Sequence, residues 1–145
     1  TIDNAPNNGA FLDFGKLKSE VSRGLTLYSI KVPGKEAVAG TVGIRQKSDQ
    51  KYEVSRLSVH PKWQGLGFGA GLLRLAEKHI KEHYHQGEKA LQGPSKDDVL
   101  VELGCIAEDE SLIRFYVENG FSISGIKTFK KLPHGVCFMK KKVTL

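Results

Sequence analysis

The sequence predicts an α/β (α+β) domain built on a mixed, mostly antiparallel sheet. Three observations carry that expectation. Three strand-like segments between Leu25 and Val59 are joined by connections too short for crossovers, so they form an antiparallel meander. The apolar spacing then changes from two to three or four, with Leu72, Leu75, Ala76 and Ile80 along one helical stripe. A near-continuous apolar run, Val99 to Cys105, follows and suits a strand buried on both faces. A strand, a helix and a further strand in that order form a crossover, which makes the flanking strands parallel.

The elements follow in order. Residues 1–24 read as a short, loosely ordered or truncated front part. Within it, Phe14, Leu17 and Val21 predict a short helix over Leu12 to Leu25, weakened by Gly15 and Gly24. Leu25 to Val32 is a strand, and Pro33-Gly34-Lys35 a turn. Ala37 to Arg45 is the second strand, Ser48-Asp49-Gln50 the next turn, and Tyr52 to Val59 the third strand. The amphipathic helix runs from Phe68 to about His83, and Gln86 to Asp98 is a loop. Ser111 to Asn119 is a second helix, with acidic Glu108, Asp109 and Glu110 at its positive end and Asn119-Gly120 as its stop. Phe121 to Lys127 and Val136 to Val143 close the chain as a hairpin. A length of 145 residues suits one domain over 1–145.

Composition narrows the function. Lys and Arg total 22 against 16 Asp and Glu, a formal charge of +6, which favours an anionic partner without naming it. No apolar run reaches the roughly 18 residues of a membrane span. The front residues lack the basic and apolar regions of a signal peptide, and two cysteines make no disulfide framework. The expected compartment is the cytoplasm, with the nucleus left open.

Glycine is the outlier. There are 16 in 145, about 11% against a usual 7% or so, and four fall between Gly65 and Gly71. They open a helix just after a strand, where unpaired N–H groups favour a phosphate and glycine lets it approach the main chain. No Gly-Lys-Ser/Thr follows, so this is not a P-loop. Gly65-x-Gly67-x-x-Ala70 nearly fits a dinucleotide fingerprint, but five residues, Pro61 among them, separate it from the strand. Glycines serving a tight turn alone are a further reading, on a level with the dinucleotide one.

Gln64-x-x-Gly67-x-Gly69 resembles the Gln/Arg-x-x-Gly-x-Gly/Ala signature of the GNAT superfamily of acyl-CoA-dependent N-acetyltransferases. The strand ending Leu57-Ser58-Val59-His60-Pro61 is similar to that family's Leu-x-Val-x-Pro strand. The stretch Asp109 to Phe121, with Tyr116 and Gly120-Phe121, resembles its later tyrosine block. The element order matches from the second strand onward, so the resemblance covers roughly residues 25–143.

The resemblance implies acetyl-CoA in a cleft where Tyr52–Val59 and Val99–Cys105 splay apart. It implies pantetheine paired with the main chain of Leu57, Ser58 and Val59. The pyrophosphate would lie on N–H groups of Gln64, Gly65, Leu66, Gly67, Phe68, Gly69 and Ala70, with Lys62 and Arg74 adding charge. By the same likeness Glu53 is the general base, Tyr116 the general acid, and the Val59 N–H an oxyanion donor. The acceptor is a primary amine, on a small molecule or a protein, attacking directly in a ternary complex. The resemblance also places Asp109 among the cofactor-binding residues, where the family often has Asn; an ionised Asp only accepts, so either that contact is missing or Asp109 caps the helix. Only about 25 residues precede the meander, fewer than in most members, which bears on the acceptor pocket.

Other features receive less weight. His79-x-x-x-His83-x-His85 lacks a companion Cys or carboxylate cluster, so no metal is expected. Cys105 reads as a core residue. The lysines of Lys127–Lys131 and Lys140–Lys142 suit exposed hairpin edges better than nucleic acid. No membrane partner is expected, and monomer and homodimer both remain open. The alternative function is a CoA-binding or basic adaptor module of the same fold without turnover.

Overall fold

A computed structural model describes residues 19–21, 24–31, 38–86 and 98–144. Its elements are β1 (Ser19–Val21), β2 (Leu25–Lys31), β3 (Val38–Ser48), β4 (Lys51–Val59), α1 (Phe68–Gln86), β5 (Val99–Ile106), α2 (Glu110–Glu118), β6 (Ser122–Thr128) and β7 (Gly135–Val143). The seven strands make one sheet in the order β1-β2-β3-β4-β5-β7-β6. β2 and β3 are antiparallel, as the short connections require, and β4 and β5 are parallel across the α1 crossover. The mixed α/β sheet is therefore the one the pattern of elements predicts.

One expectation is corrected. Ser19–Val21 is a strand, not part of a helix, and pairs antiparallel with Leu25–Leu27. Gly24, at φ 73°, supplies the left-handed conformation that lets the chain turn back in so few residues. Gly24 and Leu25, a turn and the start of β2, are not helical either; residues 12–18 and 22–23 of the expected helix lie outside the described residues, as does most of the expected loop from Gln86 to Asp98. Elsewhere the boundaries move by only a few residues; β3 runs on to Ser48 and α1 to Gln86.

The chain forms two compact units, Thr1–Gln46 with Val54–Ser95 and Lys47–Glu53 with Lys96–Leu145. In the first, Ile30, Val42 and Ile44 of the meander and Leu72, Ala76 and Ile80 of α1 are buried. Three of the four stripe residues read from the sequence are thus buried; Leu75 is only partly covered, and Leu73 is buried beside them. In the second, Val99, Val101, Met139 and Cys137 form the buried core with Tyr52.

In the first unit β3 approaches β4 closely at Gly40. A Cβ on Gly40 would lie 2.7 Å from the Ser58 carbonyl oxygen and 3.0 Å from a Leu72 methyl. The oxygen is main chain and cannot swing away. Gly40→Ala is expected to destabilise the protein by about 1–3 kcal/mol, the usual range for overpacking. A denaturant titration reads it, and an unchanged midpoint would refute the close approach of β3 to β4.

Candidate active site

β4 changes character along its length. Tyr52 and Val54 are buried while Lys51, Glu53 and Ser55 are not. Arg56 then adopts φ 53°, a left-handed conformation that a residue with a Cβ rarely takes. The alternation shifts there by one, so Leu57 and Val59 become the more covered positions and Arg56 and Ser58 are exposed. Thr41 holds the irregularity: its hydroxyl donates to the Arg56 carbonyl at 2.9 Å and lies 2.8 Å from the Ser58 hydroxyl. The parallel ladder with β5 covers Lys51, Tyr52 and Glu53 and stops there.

Beyond Val59 the chain is braced before it meets the glycines. The His60 N–H donates to the Ala39 carbonyl at 2.7 Å, and a short 3-10 turn spans Pro61–Trp63. The Gln64 side-chain amide donates back to the Val59 carbonyl at 3.0 Å. Trp63 packs edge-on against Phe68, and the Lys62 ammonium lies 5.4 Å from the Trp63 ring centroid. These contacts fix where α1 begins.

Gly65 and Gly67 have φ of 79° and 84°, and nothing lies within 4 Å of where a Gly65 Cβ would project. The Gly71 N–H donates to the Gly67 carbonyl at 3.0 Å, which makes Gly67 the cap residue of α1. Phe68, Gly69 and Ala70 are then the first helical residues, whose N–H groups have no intrahelical acceptor. The first turn of α1 contains no acidic residue, so nothing on the helix neutralises its positive end. Open space, glycine backbone and unneutralised N–H dipoles suit an anionic phosphate.

The second unit carries the candidate acid and base groups. Glu53 and Glu102 are register partners on β4 and β5, so both side chains leave the same face of the sheet. The Lys47 ammonium lies 3.8 Å from Glu53, and that of Lys51 lies 3.5 Å from Glu102. Sequence reading missed Glu102, because it sits inside an apolar run and its partner comes from the far side of a crossover.

Tyr116 is buried on α2 and packs edge-on against Phe121, ring centroids 5.7 Å apart. Burial, with the nearby Cys105 thiol adding to it, pushes the phenol up to about 12. Cys105 faces Cys137 across β5 and β7, and burial together with that neighbour pushes its thiol up to about 11. A thiol so high is scarcely ionised near neutral pH, and the thiolate is the nucleophilic form. Asp109 caps α2, its carboxylate accepting from the Leu112 N–H at 3.0 Å. Its place is that of a helix cap.

The remaining histidine pattern has a packing role. Tyr28 on β2 lies 2.6 Å from His79 Nδ1 on α1, and the His79 and His83 rings stack at 6.0 Å. Among the described residues, no group of three His, Cys, Asp or Glu side chains is placed to hold a metal. No helix among them is long and apolar enough to cross a membrane.

The acetyltransferase (GNAT) domain profile matches residues 26–123. The chain belongs to the GNAT acetyltransferase family. No sequence among the curated proteins matches it. Solved structures of GNAT fold do. Nourseothricin acetyltransferase superposes with a TM-score of 0.65 at 18% identity, over 81% of this chain and 65% of its own. The ribosomal-protein-S18-alanine N-acetyltransferase of Escherichia coli gives 0.63 at 16% identity, over 86% and 72%. A GNAT acetyltransferase from Elizabethkingia anophelis, solved with acetyl-CoA bound, gives 0.65 at 16%, over 82% and 76%. The chain thus spans under two thirds of the first and about three quarters of the others. At these identities the likeness establishes the GNAT fold.

Proposed function

We propose that this GNAT chain transfers an acetyl group from acetyl-CoA to a primary amine by direct attack. The observation that carries the proposal is the start of α1, where Gly65 and Gly67 open the backbone and no acid opposes an anion. In this reading the N–H groups of Gly65 to Ala70 take the pyrophosphate and the main chain of Leu57 to Val59 pairs with pantetheine. Gln64 contributes by bracing the loop through Val59. Asp109 is committed to the α2 cap, so its part is to hold that helix.

The acyl donor supplies an activated thioester. The chain supplies proton handling and charge stabilisation. An alkylammonium with pKa near 10 must lose a proton before it attacks. Glu53 accepts that proton, directly or through water. The Val59 N–H donates to the carbonyl oxygen as negative charge develops there. As the carbon–sulfur bond breaks, the Tyr116 hydroxyl gives a proton to the departing sulfur, and its phenolate takes back the proton that the attacking nitrogen sheds in becoming an amide. Two free cysteines suit a reducing compartment, and we place the activity in the cytoplasm.

Thiol release from acetyl-CoA over a panel of amines tests the proposal and separates it from a module that binds without turnover. Intact-mass measurement during turnover should find no acetyl-enzyme. Acetyl trapped on Cys105 would overturn direct transfer.

Tyr116 makes a separate prediction. Its folded value of about 12 stands above the ordinary 10.0, so the unfolded chain ionises first as pH rises. The stability it lends is complete below about pH 10 and is lost as pH climbs toward 12. Tyr28, also raised by burial and by Glu82, adds to the same loss. Tyr116→Phe should flatten part of the fall in Tm between pH 10 and 12, read by thermal melts. An identical slope in the variant would refute the burial of the phenol.

A further inference from the structure

The face that bears Glu53 and Glu102 also bears an excess of lysine. Across β4, β5 and β7 the register rows are Glu53, Glu102, Lys140 and Lys51, Leu100, Lys142. Register partners share a face, so Lys51, Lys140 and Lys142 leave the sheet on the same side as the two carboxylates. Lys47, at the end of β3, reaches Glu53 on that side. Four lysines stand against two carboxylates, an excess of two positive charges. Lys47 and Lys51 are matched by the carboxylates. Lys140 and Lys142 are exposed and make no ion pair among the described residues. Lys141 between them belongs to the other face, where it donates to the Asn119 carbonyl at 2.9 Å.

We infer that the acceptor is an amine that carries a carboxylate or phosphate close to its nitrogen. The inference rests on the proposed transfer reaction, with the amine delivered to Glu53. Neighbouring strands lie about 4.8 Å apart and alternate residues about 6.8 Å, so Lys140 and Lys142 stand roughly 10 and 12 Å from Glu53 along the sheet. An anion at that distance from the amine meets uncommitted ammonium groups. A second cationic group there meets repulsion instead. The field acts on the acceptor before and during the reaction alike, so it governs KM more than kcat.

Both an acidic peptide N-terminus and a small anionic amine have this chemistry, and two probe pairs distinguish them. The first pair is Ala-Glu-Glu-Gly and Ala-Lys-Lys-Gly peptides, blocked at the C-terminus and with the lysine side chains dimethylated. The second is 6-aminohexanoate and 1,6-diaminohexane. Thiol release gives kcat and KM for each, and anisotropy of C-terminally labelled peptides gives binding without turnover. The anionic member of at least one pair should have a KM lower by about tenfold, the scale of two exposed ion pairs, with similar kcat. The preference should shrink in 0.5 M salt. The pair that shows it tells which source is used. The double variant K140E/K142E should reverse it while leaving acetyl-CoA affinity unchanged by calorimetry.

Equal KM within both pairs, or a preference for the cationic members, overturns the inference even if transfer itself is confirmed. A double variant that loses acetyl-CoA affinity and keeps its acceptor preference overturns it too, because the lysines would then serve the donor. A chain that binds no acetyl-CoA and releases no thiol rejects the transfer reading instead. In that event equal anisotropy for the acidic and basic peptides rejects the charge preference, and tighter binding of the acidic peptide supports it.

Discussion

Glu53→Gln is expected to lower kcat by about 10²–10⁴-fold near neutral pH, the usual worth of a positioned general base. The loss should not be uniform in pH. An amine with pKa near 10 is almost wholly protonated at pH 7, and a base must then remove the proton. Nearer pH 10 the solvent has already done so, and the variant should approach wild type. Glutamine keeps the size of the side chain and a hydrogen-bonding carbonyl, so acetyl-CoA affinity and Tm serve as controls and should hold. A ratio of wild-type to variant kcat that stays flat from pH 6 to 10 would remove Glu53 from the base role.

Glu102 makes the single variant insufficient. It is the register partner of Glu53 on the same face, and each carboxylate has its own lysine, Lys47 or Lys51. Two carboxylates so placed can substitute for each other. Glu102→Gln and the double variant therefore belong in the same series. If Glu53 alone is the base, Glu102→Gln costs little and the double variant matches Glu53→Gln. If the two share the proton, the double variant loses more than the product of the singles.

The sequence made local features readable and left non-local ones hidden. The glycine cluster marked the start of α1 because glycine alone takes φ near 80° without strain, as Gly65 and Gly67 do. Helical spacing marked Leu72, Ala76 and Ile80, because a helix sets its buried stripe by its own period. Glu102 was hidden for the opposite reason: what matters about it is its neighbour, and strand register across a crossover is fixed by packing rather than by any residue near it. Arg56 shows a second limit. Its left-handed backbone sits in a residue that normally avoids that region, stabilised by Thr41 from another strand. Ser19–Val21 is a third, where apolar spacing over a few residues fitted a helix and pairing with β2 decided otherwise.

The site's anion-binding end is tested most directly by Gly67→Asp, which should abolish detectable acetyl-CoA binding while the protein still folds. Gly67 is the cap residue of α1, and Asp is among the residues preferred at a helix cap. Its φ of 84° costs an Asp about 1 kcal/mol or somewhat more, which a capping bond to the first turn partly offsets. The new carboxylate would then occupy the N–H groups that the pyrophosphate needs and oppose its charge. Two like charges about 4 Å apart near a protein surface repel by roughly 4 kcal/mol, close to a thousandfold in affinity. Gly67→Ala supplies the comparison, because it adds the backbone strain and a Cβ without the charge. Calorimetric titration should find its affinity reduced far less than that of Gly67→Asp, with both variants melting cooperatively. Equal losses in the two would make the effect steric, and wild-type affinity in Gly67→Asp would move the phosphate elsewhere on the chain.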